Sequence, residues 1–164
     1  IGGSADEGTN ESVILQTADN RLYFNCRNKR ISELPDGGNF RAVAWSNDGG
    51  NSFSPIVHDG SLPEPICEAS VCRYGAAQGS HVLFSNPAAR DGRYNMTIRL
   101  SNDECRTWPV SKVLYEGPAA YSDLCVAADG TILCMYERGL SSPYESIELA
   151  RFNIDWLTTA DTLS

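Results

Sequence analysis

Apolar positions in this chain come in short runs, separated by clusters of Asp, Asn, Gly, Ser and Pro. That spacing is the signature of strands joined by turns. Runs at 41–45, 54–58, 96–100 and 109–115 read as strands. Two longer segments, 11–22 and 121–132, share one layout: strand, an Ala-Asp-Asn or Ala-Asp-Gly turn, strand. No stretch sustains a 3.6-residue period, and only Asp155-Trp156-Leu157-Thr158 reads as the start of a closing segment. The pattern predicts an all-β protein.

The strands are organised by a repeat. Ser46-Asn47-Asp48-Gly49-Gly50-Asn51-Ser52-Phe53 and Ser101-Asn102-Asp103-Glu104-Cys105-Arg106-Thr107-Trp108 both read S-x-D-x-x-x-[ST]-aromatic, with Cys105 where the first copy has Gly50. Each lies between two strand-like runs and predicts a hairpin turn. The aspartate can accept from nearby backbone N–H groups, the glycine can take positive φ, and Phe53 or Trp108 can anchor the turn in a core. The same 55-residue offset relates 11–22, through 66–73, to 121–132. The chain therefore divides into units of about 11–65, 66–120 and 121–164, the third without a recognisable box. A repeat of this length, with four short strands each, predicts β-propeller blades. Three blades cannot close a ring, so the expectation is part of a larger propeller, or one completed by another chain.

Composition narrows the partners. The 164 residues are one domain's worth of chain, and 41% hydrophobic residues suffice for a core. The net charge of -8 argues against a nucleic-acid binder, which would need basic surface. Of 13 basic residues only Lys29 and Lys112 are lysines, an arginine excess that suits planar recognition of carboxylates. The 6 cysteines, Cys26, Cys67, Cys72, Cys105, Cys125 and Cys134, form no CxxC pair, which argues against structural zinc, and most sit in apolar runs as small buried hydrophobes. No apolar run reaches membrane-spanning length. The chain opens on Ile1-Gly2-Gly3-Ser4, as at a cut boundary, so targeting information could lie upstream. Location stays open, with a secreted or extracytoplasmic setting favoured.

The boxes resemble the Asp-boxes of the sialidase (neuraminidase) superfamily. The resemblance extends to Asn10-Glu11-Ser12 with Asn25-Cys26-Arg27-Asn28, and to Arg93-Tyr94-Asn95-Met96-Thr97-Ile98-Arg99-Leu100-Ser101 leading into the second box. It also covers Gly117-Pro118-Ala119-Ala120-Tyr121-Ser122-Asp123-Leu124 with Met135-Tyr136-Glu137. It runs from about residue 10 to 157 and implies the C-terminal half of a six-bladed exo-α-sialidase propeller that releases terminal sialic acids from sialoglycoproteins, gangliosides or oligosaccharides. By that resemblance Tyr121 is the nucleophile and Glu11 the base that takes its proton. Arg27 and Arg93 bind the substrate carboxylate, and Glu137 orients a further arginine. Ser46, Asp48, Gly50, Phe53, Ser101, Asp103 and Trp108 are the structural box residues. The further arginine and an aspartate acid/base would lie on a preceding N-terminal half, so the chain alone is expected to be silent.

The chemistry fits these residue types. Sialic acid carries a carboxylate on its anomeric carbon, which a carboxylate nucleophile would meet as a like charge. A phenol is neutral until deprotonated, and sialidases are the recognised tyrosine exception among retaining glycosidases. With an ordinary pKa of ~10, tyrosine needs an adjacent base. No metal or organic cofactor is required. Two other readings remain: a non-catalytic Asp-box propeller that binds glycans or proteins, and a hydrolase of another acidic sugar. Glu68 and Asp123 lie near site positions and receive no role.

Overall fold

A computed structural model describes residues 8–29, 39–75 and 81–159; the opening Ile1-Gly2-Gly3-Ser4 lies outside them. Four strands, β1 (Thr9–Gln16), β2 (Leu22–Asn28), β3 (Phe40–Ser46) and β4 (Val57–Pro63), pair antiparallel in chain order. Six more follow: β5 (Ser70–Arg73), β6 (Val82–Pro87), β7 (Tyr94–Ser101), β8 (Val110–Val126), β9 (Ile132–Arg138) and β10 (Ser146–Phe152). These also pair antiparallel, each with its neighbour in sequence. Helix α1 (Ile154–Thr158) is the last element among the described residues, its first turn capped by the Asn153 side chain, which accepts from Trp156 N. The all-β expectation matches what is seen.

Strand β8 differs from the pattern read in the sequence. Its residues 110–118 pair with β7 and residues 119–126 pair with β9, so one strand serves two consecutive groups. The expected junction at 120/121 falls inside it. Gly117-Pro118 looks like a break in sequence, yet the strand passes through. A Cβ at Gly117 would run into the Tyr115 ring and hydroxyl, so a larger residue there would displace Tyr115 from its bond to Gly139 O. The strand after the first box also starts later than expected, at Val57 rather than Ser54. Pro55 has no N–H for a ladder, and Ser54 instead closes the turn, its N–H donating to Trp45 O at 2.8 Å.

Both boxes fold by the same bonds. Asp48 accepts from the Ser46 hydroxyl, Ser52 N and the Ser52 hydroxyl at 2.8, 2.9 and 2.6 Å. Asp103 accepts from the Ser101 hydroxyl, Thr107 N and the Thr107 hydroxyl at 2.9, 2.8 and 2.6 Å. Gly49 and Gly50 take φ of 70° and 89°; Glu104 and Cys105 take 62° and 66° in the second copy. Glu104 holds that unfavourable backbone by accepting from Arg73 and from Ala18 N, each at 2.8–2.9 Å.

The core is two clusters joined by β6, every residue of which is buried. Leu83 points into a cluster with Met96, Ile98, Leu124, Ile132 and Tyr136. Val82 and Phe84 point the other way, against Tyr23, Leu62, Cys105 and Trp108. Alternation along the strand thus locks neighbouring groups face to face. Cys26, Cys67, Cys105 and Cys134 are buried, and all 6 cysteines are free thiols. Beneath β3, Arg41 and Glu64 form a fully buried ion pair at 2.9 Å. Arg41 Nε donates to Asn25 Oδ1 and its Nη1 also to Cys67 O, Glu64 Oε1 accepts from Asn28 N, and Arg41 Nη2 is left buried without a hydrogen-bond partner among the described residues.

Candidate active site

Glu11, Arg93 and Tyr121 leave at or beside an irregularity in β1, β7 and β8, while Arg27 leaves from β2 and Glu137 from β9. In β1 the pairing with β2 slips between Asn10 and Ser12, and Glu11 sits in the slip at φ 40°. In β7 it slips between Tyr94 and Met96, with Asn95 at φ 60°, two residues after Arg93. In β8 it slips between Ala119 and Ser122, which frees Tyr121 from regular pairing with β9. A bulge re-aims a side chain that a flat strand would point along the sheet normal.

The re-aimed groups meet. The Tyr121 hydroxyl donates to Glu11 Oε1 at 2.6 Å, across 110 residues of sequence. Arg27 Nη1 lies 2.7 Å from the other oxygen, Glu11 Oε2, while Arg27 Nε donates to Asn10 Oδ1 at 2.9 Å. The Arg93 guanidinium lies over the Tyr121 ring, 5.6 Å from its centroid. Its two terminal nitrogens donate to the Tyr144 hydroxyl and to Ile66 O, both at 2.8 Å. Ile66 presents that carbonyl from φ 54°, a conformation costly for a β-branched residue. Glu137 Oε2 accepts from Tyr121 N at 3.1 Å. A pocket of about 280 Å3 opens beside the phenol, lined by Glu68, Tyr121, Ser122, Asp123, Met135, Tyr136, Glu137 and Ile147.

The electrostatics keep the phenol protonated at rest. Its hydrogen bond to Glu11 is the largest influence raising the Tyr121 pKa above 10.0; burial and the Glu11 charge add to it, and Arg27 and Arg93 oppose. The pull of the two arginines toward phenolate is outweighed. Proton loss therefore needs an acceptor already in place, which Glu11 Oε1 is. Burial also pushes Glu68 up to about 7. Among the described residues no group of three or more His, Cys, Asp or Glu could hold a metal ion.

All five residues singled out in the sequence, Glu11, Arg27, Arg93, Tyr121 and Glu137, are brought to one mouth. Glu137 is seen holding the tyrosine backbone, a contact that sequence reasoning did not anticipate. Asn10, Ile66 and Tyr144 were missed as partners. No periodicity marks Tyr144, which lies in the loop between β9 and β10; Ile66 was visible only as the middle copy of the Glu11 and Tyr121 positions.

Residues 3–134 match the family described as BNR repeat-like domain. A sialidase of Micromonospora viridifaciens is 37% identical over 162 residues, covering 95% of this chain and 23% of the relative. An exo-alpha-sialidase of Aspergillus fumigatus is 29% identical over 174 residues, covering 96% of this chain and 39% of the relative. Among solved structures, the Hadza microbial sialidase Hz136 superposes with TM-score 0.80 at 30% identity, over 96% of this chain and 30% of that one. The intramolecular trans-sialidase of Ruminococcus gnavus shares the fold with TM-score 0.76 at 24% identity, over 96% and 36% of the two chains. The chain thus spans between 23% and 39% of the length of these proteins. With the fold, the boxes and these relatives together, the chain belongs to the BNR repeat-like family and is a homologue of the sialidases, with their β-propeller architecture.

Proposed function

We propose that this chain is the nucleophile-bearing part of an exo-α-sialidase that releases terminal sialic acids with retention. The observation that carries the reading is the 2.6 Å hydrogen bond from the Tyr121 hydroxyl to Glu11, with Arg27 on the second oxygen. Glu11 takes the phenolic proton as the phenolate oxygen attacks the anomeric carbon, and the aglycone leaves through an oxocarbenium-like transition state. Water then opens the tyrosyl glycoside, with Glu11 returning the proton to Tyr121. Arg27 and Arg93 form the planar forks that a substrate carboxylate needs. For Arg93 to receive it with Nη1, the Tyr144 hydroxyl must give way or share the donor. Glu137, on β9 and already bonded to Tyr121 N, orients a third arginine of the preceding half. That half supplies the acid/base aspartate as well, and the substrates are sialylated glycans.

The test is release of fluorophore from a sialoside by this chain joined to the preceding half of its propeller. Tyr121→Phe should lower turnover by roughly 10³-fold or more with the fold intact. Full turnover by that variant would remove the nucleophile from the scheme.

A further inference from the structure

The nucleophile strand is held from two sides at consecutive amides. Tyr121 N donates to Glu137 Oε2 and Ser122 N donates to Glu68 Oε2, both at 3.1 Å. Glu137 belongs to β9, the ladder partner of β8. Glu68 does not: it precedes β5 and reaches the tyrosine strand across the seam between β5 and the second half of β8. Two further contacts hold the same stretch of β8, one from β6 and one from β5. Ser122 Oγ lies 2.8 Å from Ser85 Oγ, and Leu124 N donates to Ser70 Oγ at 3.0 Å. Of these partners Glu68 lines the pocket, and it is a carboxylate where the others are hydroxyls.

We propose that Glu68 is a positioning residue for Tyr121: its carboxylate, taking the Ser122 N–H across the seam, fixes the β8 bulge that keeps the phenol on Glu11. The inference rests on the Tyr121–Glu11 pair of the proposed function and adds a residue to it. A backbone amide bonded to an ionised acceptor is held more tightly than one bonded to a neutral carbonyl. Burial raises the Glu68 acid to about 7; the Ser122 N–H and Arg41 on β3 oppose, and Asp123 on β8 and Glu11 on β1 act with burial. The clamp therefore tightens as pH rises through neutrality.

The experiment follows the ring-carbon NMR signal of Tyr121 and the amide signal of Ser122 in this chain as pH is raised, in wild type, Glu68→Ala, Glu68→Gln and Glu11→Gln. In wild type Tyr121 should titrate above its ordinary value, and Glu11→Gln should bring it down. Glu68→Ala should bring it down as well, because a loosened bulge lets the phenol leave Glu11. Glu68→Gln should keep the wild-type value, since its amide oxygen still accepts from Ser122 N. The Ser122 amide should titrate with a midpoint near 7 in wild type and stay flat near neutrality in Glu68→Gln. The proposal is overturned if Glu68→Ala leaves Tyr121 where wild type has it while Glu11→Gln lowers it. It is equally overturned if Ser122 shows no neutral titration in wild type, a measurement that decides even if Glu68→Ala fails to fold. A Tyr121 that titrates at its ordinary value in wild type and ignores Glu11→Gln overturns the underlying pair, and this proposal with it.

Discussion

At the scale of single residues, carboxylates do most of the organising, and their titration makes it measurable. Asp48 is held down to about 2, first by the Ser52 hydroxyl and then by Ser52 N and the Ser46 hydroxyl. A carboxylate whose folded pKa lies below its ordinary 3.8 stabilises the fold above that value and loses the contribution as pH falls through about 2. Asp48→Asn should therefore lower the melting temperature at pH 7 and flatten the acid limb between about 4 and 2, checked by thermal melts across that range. Glu68 has the opposite sign. Its acid is raised from 4.5 to about 7, so its favourable contribution is complete below 4.5 and is lost as pH rises through 7. Glu68→Gln should then stabilise the chain at pH 8 by about 1–3 kcal/mol while changing little at pH 4. If the variant is no more stable at pH 8 than wild type, the buried site is wetter than its geometry implies. The box aspartates were legible in the sequence because their partners lie within four positions. Glu68 could be noticed there but not assigned, because its partner, Ser122 N, is 54 residues away.

At the scale of elements, Glu11 and Tyr121 leave from interruptions within β1 and β8 rather than from strand ends. The repeat places Glu11, Ile66 and Tyr121 at equivalent positions, and the first two of these have φ of 40° and 54°. Bulges in β1 and β8 deliver the carboxylate and the phenol, and the connection before β5 brings the Ile66 carbonyl to the same mouth. The sequence showed the repeat but not the bulges, since a register slip depends on the partner strand. It also hid the continuity of β8, because Gly117-Pro118 reads locally as punctuation and only the pairing with β7 and β9 carries the strand through it. The second half of that strand is fastened to β6 by the buried contact between Ser122 Oγ and Ser85 Oγ at 2.8 Å. Replacing either serine with alanine removes this bond, at a cost of about 1 kcal/mol, with Ser122 Oγ keeping only its longer contact to Ser85 O when Ser85 is replaced. Replacing both should cost little more than replacing one. Denaturant melts of the two single variants and the double variant should give a coupling of about 1 kcal/mol; strict additivity would mean the two hydroxyls do not share a bond.

At the scale of the whole molecule, the last sheet ends on an uncovered apolar face. Leu149 pairs with Met135 and Ile147 pairs with Glu137, so these four side chains stand on one side of β9 and β10. Met135, Ile147 and Leu149 are 48%, 69% and 55% exposed. Asp123 pairs with Met135 from β8, which extends the same face to the pocket beside Tyr121. Large apolar side chains grouped on a sheet face are ordinarily covered. On the proposed function the cover is a blade of the preceding half, and the face that it buries is also the one from which Glu137 reaches Tyr121 N. Closing the ring and completing the site would then be one event. The isolated chain should release no fluorophore from a sialoside above the blank, and mixing or joining it with the preceding half should restore turnover. Ile147→Asp with Leu149→Asp places two charges on the face without touching the core, so the isolated chain should melt as before. Restoration of turnover should fail, because two buried carboxylates without partners would oppose the docking. Turnover by the chain alone, or unimpaired restoration in the double variant, would separate the apolar face from the chemistry and leave Glu137 serving the tyrosine strand only.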